Sequence, residues 1–307
     1  MKRLLPLIAA LSVSAASAQA FPLTVRHDLG STTLTRVPQR VVVIQEETAE
    51  LLAVLGVRPV GFGSTRVQGA TPGRPLTALT APAARSLGQP VFVGTHDQPS
   101  LETIAALRPD LILMSAGDDG SNTLYPQLAR LAPTLAFDYD AGASGWRRAL
   151  TEVGRVLGKS AQARRYLATY DARVATLKAQ IAPVTAAGPN TALLYMFDPQ
   201  SVVALGEKFS FSRTLGSLGL KLVVPAGMTP DLVFKVLSPE ALTTLKADRT
   251  VLLRLKVNGQ PLPRNATDAL LARAGVPVVT YLLDPQEPSS GPITDLRRIE
   301  ALARLLR

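Results

Sequence analysis

Cysteine is missing from all 307 residues, which excludes a disulfide framework, a thiolate metal site and a cysteine nucleophile together. Histidine is nearly missing too, with only His27 and His96 present. Two distant histidines without cysteine make a poor zinc site. A Ser–His–Asp hydrolase could draw only on His96, and no serine sits in a strand–helix elbow. Aromatic residues make up 5% of the chain, and no stretch reaches the roughly 18 apolar residues that a membrane-spanning helix requires. Of the 33 basic residues 8 are Lys and 25 are Arg, and none lies in a run longer than two. The formal net charge of +10 is therefore dispersed. That suits a solvated surface or anionic partners, not the concentrated stripe of a nucleic-acid binder.

Catalytic motifs are equally sparse. There is no G-x-x-x-x-G-K-[ST], so nucleotide phosphates have no cradle of that kind. Gly61-Phe62-Gly63-Ser64-Thr65-Arg66 begins like a dinucleotide fingerprint but lacks the third glycine. Gly142-Ala143-Ser144-Gly145 falls one residue short of a nucleophile elbow. The chain reads as built to hold something and not to transform it, so no catalytic residue and no enzymatic activity are expected.

What is present is apolar, at 47% of residues, and varied enough for a packed globular protein of one large or two smaller domains. Lys2 and Arg3 precede an apolar stretch from Leu4 to Val13, followed by Ala18-Gln19-Ala20. This pattern is that of a cleaved secretory signal over residues 1–20. The expected mature chain starts at Phe21, is exported, and has no cysteine at the cleavage point to carry a lipid anchor. Without Lys2 and Arg3, 31 bases face 23 acids.

An internal repeat organises the rest. Ser100-Leu101-Glu102-Thr103-Ile104-Ala105-Ala106-Leu107-Arg108-Pro109-Asp110 matches Ser238-Pro239-Glu240-Ala241-Leu242-Thr243-Thr244-Leu245-Lys246-Ala247-Asp248. Each copy reads as a short helix with a serine cap, an acidic first turn and a basic last turn, and each leads into an apolar strand. A second block, Leu52 to Val60, matches Leu215 to Val223 in the same order. Two similar α/β lobes follow. Continuous apolar runs such as Val41–Ile44 and Val251–Leu255 suit parallel strands buried on both faces. Between the lobes, Ser160 to Ile181 holds neither Gly nor Pro. Ala163, Leu167, Tyr170, Val174, Leu177 and Ile181 recur there at helical spacing. About 22 residues at about 1.5 Å each give a helix of roughly 33 Å. The expected organisation is an N-terminal lobe over 21–159, an interlobe helix over 160–181 and a C-terminal lobe over 182–307.

These blocks carry a resemblance. Thr24-Val25-Arg26-His27, Val37-Pro38-Gln39-Arg40-Val41-Val42-Val43-Ile44 and Leu51-Leu52-Ala53-Val54-Leu55-Gly56-Val57-Arg58-Pro59-Val60-Gly61 resemble the opening of iron–siderophore periplasmic binding proteins. Val93-Gly94 and Pro99 to Leu113 resemble their most recognisable block. The resemblance implies a class III periplasmic binding protein: two Rossmann-like lobes with parallel sheets joined by one backbone helix. It also implies an interlobe cleft and delivery of a ferric siderophore, or a ferric citrate-like chelate, to an ABC permease dimer. Iron would be bound only through its chelator, with no resident cofactor or metal, and the protein would be monomeric. Cobalamin and haem binders share the architecture and stand as alternatives of the same fold. An exported α/β hydrolase is the alternative of another class.

A receptor for such chelates needs cationic donors and aromatic faces at the C-terminal ends of its strands. The candidates there are Arg66, His96, Ser115 and Tyr139 in the first lobe, and Tyr195, Phe209, Arg254 and Lys256 in the second. For Arg66 and Arg254 the alternative is a solvated surface charge. Ser210-Phe211 stands where many catecholate binders place Arg-Phe, and Gly117-Asp118-Asp119 stands where they often carry basic residues. Both departures favour hydroxamate or carboxylate cargo. In the resembling family one glutamate at the matching position of each lobe docks against permease arginines, which implies that role for Glu102 and Glu240. As helix-start residues they equally complement the helix dipole.

Overall fold

The computed structural model describes residues 20–64, 81–117, 121–139, 145–230, 232–243, 245–284 and 290–307. The first 19 residues of the expected leader, Arg66, Asp118, Asp119 and residues 285–289 lie outside them. Lobe 1 opens with an antiparallel hairpin, β1 (Leu23–His27) and β2 (Gly30–Leu34). It continues through β3 (Val41–Val43), α1 (Glu46–Leu55), β4 (Gly61–Ser64), α2 (Ala81–Leu87) and β5 (Val91–Thr95). Next come α3 (Leu101–Ala106), β6 (Leu111–Ser115), α4 (Tyr125–Leu131), β7 (Thr134–Phe137) and α5 (Gly145–Val156). The interlobe helix α6 spans Ser160–Gln180 and is followed by α7 (Ala182–Ala187). Lobe 2 then runs through β8 (Asn190–Met196), β9 (Val203–Leu205), α8 (Ser210–Ser217), β10 (Lys221–Val223), β11 (Phe234–Val236) and α9 (Pro239–Thr243). It ends with β12 (Arg249–Val257), β13 (Gln260–Pro261), α10 (Ala266–Arg273), β14 (Val278–Leu283) and α11 (Pro292–Leu305).

The lobe 1 sheet has the order β5-β4-β3-β6-β7, parallel throughout. Its apolar runs are continuous because both faces are covered. Val41 and Val43 enter the core beneath α1 and α5, whereas Val42 and Ile44 pack with Ile104 of α3 and Leu128 of α4. Lobe 2 repeats this plan: β10, β8, β12 and β14 are neighbours in that order and parallel. An antiparallel pair, β9 with β11, is added beside the C-terminal end of β8.

The repeated blocks are equivalent in space. Ser100 caps α3 through Thr103 N at 3.1 Å, and Ser238 Oγ accepts Ala241 N at 3.3 Å. Asp110 closes the first copy and accepts Gln39 N and Arg40 N, at 2.9 and 2.7 Å, just before β3. Asp248 closes the second and accepts Asn190 N at 2.8 Å, at the start of β8. In both lobes this aspartate pins the entry of the neighbouring central strand.

One apolar cluster spans both lobes. It joins Leu51, Leu52 and Val153 to Ala163, Tyr170 and Leu177 of α6, and on to Phe211, Leu253 and Leu302 of lobe 2. Parting the lobes at the back would expose this shared core, so the hydrophobic effect holds them together there.

Candidate functional site

In open α/β sheets ligands bind beyond the carboxyl ends of the strands, where the strand order reverses. In lobe 1 that point lies between β3 and β6. Gln45 leaves β3 and Ser115 ends β6, and Gln45 Oε1 accepts Ser115 N at 2.8 Å. Ser64, at the end of β4, donates to Glu46 on the first turn of α1. His96 follows β5, is half-buried, and donates its backbone N–H to Ser64 O at 2.8 Å. Tyr139 follows β7 and is buried; its backbone oxygen accepts Ser290 Oγ at 3.4 Å, across the seam from lobe 2. The structure therefore brings His96, Ser115 and Tyr139 to one edge of lobe 1.

In lobe 2 the equivalent edge carries Tyr195, half-buried, with its ring 5.7 Å from that of Phe197. Phe209 is the half-buried N-cap of α8. Arg254 corrects the sequence expectation. It is only 4% exposed and is consumed by the protein itself, donating to Leu262 O at 3.1 Å, Pro263 O at 2.8 Å and the Asp268 carboxylate. Its role here is to tie the β12–β13 hairpin to α10. It also borders a cavity of about 620 Å³ lined only by lobe 2 residues, among them Arg264, Leu271, Val278 and Leu282. Lys256 is half-exposed in the same hairpin, opposite Pro261.

The sequence reading missed three features. Exposed apolar side chains concentrate before the second repeat: Leu232, Val233, Phe234 at 57% and Val236 at 63% exposure, on or beside the edge strand β11. The run Leu232-Val233-Phe234 just ahead of Ser238 was the available signal. Second, a guanidinium does stand beside Ser210-Phe211. Arg298 of α11 donates to Ser210 Oγ at 3.4 Å and lies 5.6 Å from the Phe211 ring. Being 88 residues from Ser210, it leaves no local trace. Third, the start of α11 is bound to lobe 1 and to α6. Glu50 accepts Ile293 N and Thr294 N at 2.8 and 3.0 Å, Trp146 Nε1 donates to Asp295 Oδ2 at 2.8 Å, and Tyr166 OH donates to Pro292 O at 2.7 Å. Trp146 also meets Tyr170 edge-on at 5.0 Å, so it serves the junction.

Glu102 and Glu240 are both exposed in the first turns of α3 and α9. The Glu240 carboxyl is held below its usual range by its own backbone N–H and then by the Ser238 hydroxyl, so it is ionised at neutral pH.

The fold has counterparts. Ferric enterobactin-binding periplasmic protein FepB of Escherichia coli O6:H1 is 30% identical over 220 residues, covering 70% of this chain and 67% of FepB. Fe(3+) dicitrate-binding periplasmic protein FecB of Escherichia coli K12 is 30% identical over 212 residues, covering 68% of this chain and 64% of FecB. The chain thus spans about two thirds of the length of these relatives. Among solved structures, siderophore-binding protein FhuD of Vibrio cholerae with bound Fe3+–Desferal superposes with a TM-score of 0.68 at 24% identity, over 87% of this chain and 97% of that one. Staphylococcus aureus SirA with staphyloferrin B gives 0.67 at 22% identity, over 92% and 98%. These likenesses show the shared fold. Residues 41–261 match the family described as periplasmic binding protein, and with that match and the two-lobe architecture the chain belongs to the periplasmic binding protein family.

Proposed function

We propose that the protein is an exported, periplasmic receptor that holds a ferric chelate between its lobes and hands it to an ABC permease. It works by binding and release, as a monomer, and iron enters only inside its chelator. One observation carries this reading: two α/β lobes, each built around neighbouring parallel strands, share one apolar core along α6, in a chain whose relatives at 30% identity are named for ferric enterobactin and ferric dicitrate. The Tyr195–Phe197 pair and the Leu232–Phe234 rim supply apolar faces for the body of a chelator. Hydroxamate or carboxylate cargo suits the site best. Arg254 is already neutralised by Asp268, and Arg298 is buried beside Ser210. Neither offers the free guanidinium that a catecholate trianion would draw on.

Titration of intrinsic fluorescence with ferric desferrioxamine, ferric dicitrate, ferric enterobactin, cobalamin and haem tests the reading. Saturable quenching by at least one ferric chelate, without product, is expected. Response to cobalamin or haem alone would replace the cargo, and hydrolysis of an ester or amide panel would replace the function.

Glu102 and Glu240 serve as the two permease anchors. The double variant Glu102→Arg, Glu240→Arg should keep its thermal midpoint and chelate affinity, because both groups are exposed, while iron uptake by cells is lost. Wild-type uptake by the double variant would remove the docking role.

A further inference from the structure

Two hydrogen-bond donors on the ligand edge of lobe 1 are buried without use. Gln45 and Tyr139 are 0% and 2% exposed, yet among the described residues neither Gln45 Nε2 nor the Tyr139 hydroxyl has a hydrogen-bond partner. Native proteins pair nearly all buried polar groups, because stranding one forfeits its hydration without return. These two stand where the fold places ligands. Gln45 follows β3 and Tyr139 follows β7, with β6 between them. Strands about 4.8 Å apart set the two residues roughly 10 Å apart along that edge.

Building on the reading of the protein as a ferric-chelate receptor, we infer that Gln45 and Tyr139 form a donor row that recognises acceptor oxygens of the cargo, the carbonyl or carboxylate oxygens of a hydroxamate- or carboxylate-type chelate. Gln45 is already oriented for this, since its Oε1 is fixed by Ser115 N at 2.8 Å and its Nε2 must then point elsewhere. Tyr139 stays a protonated donor at any working pH, as burial and then the neighbouring Glu47 charge push its hydroxyl well above the usual range. Its backbone oxygen accepts Ser290 Oγ of lobe 2 at 3.4 Å, at the long end of hydrogen-bond geometry. Neutral donors of this kind select by oxygen placement and not by net charge. This is how a site can hold a polydentate chelate without drawing on Arg254 or Arg298, both already engaged within the protein.

Substitution at Tyr139 separates stability from affinity. Tyr139→Phe removes one oxygen, so it leaves packing intact and relieves a stranded donor. Without cargo its thermal midpoint should equal or exceed that of the wild type. Its dissociation constant for ferric desferrioxamine or ferric dicitrate, whichever the wild type binds, should rise about ten-fold or more, as expected for a lost buried hydrogen bond. Gln45→Met removes the amide donor at similar volume, and it should weaken the same probe. A cargo-free Tyr139→Phe protein less stable than wild type would show that the hydroxyl has a partner of its own and overturn the inference. Unchanged affinity in Tyr139→Phe would overturn it as well. If the wild type binds no ferric chelate at all, the ferric-chelate reading falls first and takes the donor row with it; if it binds ferric enterobactin alone, that reading stands and the donor row for hydroxamate- or carboxylate-type cargo falls. Either result is distinguishable because it needs no variant.

Discussion

Glu50 offers the sharpest test of how the lobes are joined. Helix α11 begins after Gly291, which occupies the N-cap position with no side chain to satisfy the first N–H groups. Glu50 of lobe 1 supplies the missing cap. Its Oε2 accepts Ile293 N and Thr294 N at 2.8 and 3.0 Å, and Thr294 Oγ1 donates to its Oε1 at 2.6 Å. Glycine is required at 291, because its φ is +141° and a Cβ there would lie 2.4 Å from Glu50 Oε2. Burial dominates the carboxyl and lifts its pKa from the ordinary 4.5 to about 8; the bonds from Thr294 and Ile293 oppose the lift, and Asp295 adds to it. The folded state therefore holds a proton that the unfolded state releases near pH 4.5. Stability from this group is complete below about pH 4.5, declines as pH rises, and is gone once pH passes about 8. At about 1.4 kcal/mol per pH unit the whole loss is at most about 5 kcal/mol. Glu50→Gln mimics the neutral form, with its amide free to donate to Thr294 Oγ1. Urea denaturation of both proteins from pH 5 to pH 9 should find them within about 1 kcal/mol at pH 5. The variant should become the more stable by several kcal/mol at pH 9, on the order of the shift just derived. A constant difference across that range, with Glu50→Gln the weaker throughout, would show that the three donors keep the carboxylate ionised and that burial does not win.

Two further outcomes follow from the geometry. Arg254→Ala leaves Asp268, in the first turn of α10, without its ion-pair partner, so it should destabilise by about 3–5 kcal/mol in chemical denaturation while the folded protein keeps its chelate affinity. Lost affinity at unchanged stability would return Arg254 to the cleft. Gly63→Ala places a Cβ 2.5 Å from the backbone oxygen of Ile44, which cannot swing aside, and a loss of about 1–3 kcal/mol should appear as a lower thermal midpoint.

Local pattern carried most of the architecture. The central strands show because both sheet faces are covered, so Val41–Ile44 and Val251–Leu255 read as unbroken apolar runs. Helix α6 shows because its buried residues Ala163, Tyr170 and Leu177 fall on one helical face. Short elements escaped notice: β9 and β11 span three residues each and make their sense only through pairing, β9 with β8 and β11 with β9. The site was legible as a set of strand ends, since placement at a strand end is a local property. Which side chains are free there is not local. Arg254 stands at the right position, but Asp268 and two carbonyls of the following hairpin consume it. The cap on α11 joins residues 243 and 244 apart in sequence, beyond any periodicity.

The repeat explains why cargo and permease would share one face of the molecule. In each lobe the repeated helix is a crossover that runs back against the parallel strands, so its N-terminus lies level with their carboxyl ends. Glu102 on α3 and Glu240 on α9 therefore stand beside the same edges that carry Gln45, Ser115, Tyr195 and Phe197. The fixed geometry comes from the other end of each copy, where Asp110 and Asp248 bind the chain entering β3 and β8. That bond locks helix, crossover strand and central strand into one unit in each lobe. The shared core along α6 then fixes the two units against each other, and Glu50, Trp146 and Tyr166 hold the start of α11 across the junction. The spacing between the two glutamates is thus set by buried contacts on the far side of the molecule. On the proposed docking role, a permease gripping both glutamates would sense the state of the seam between the lobes, where the cargo is proposed to bind.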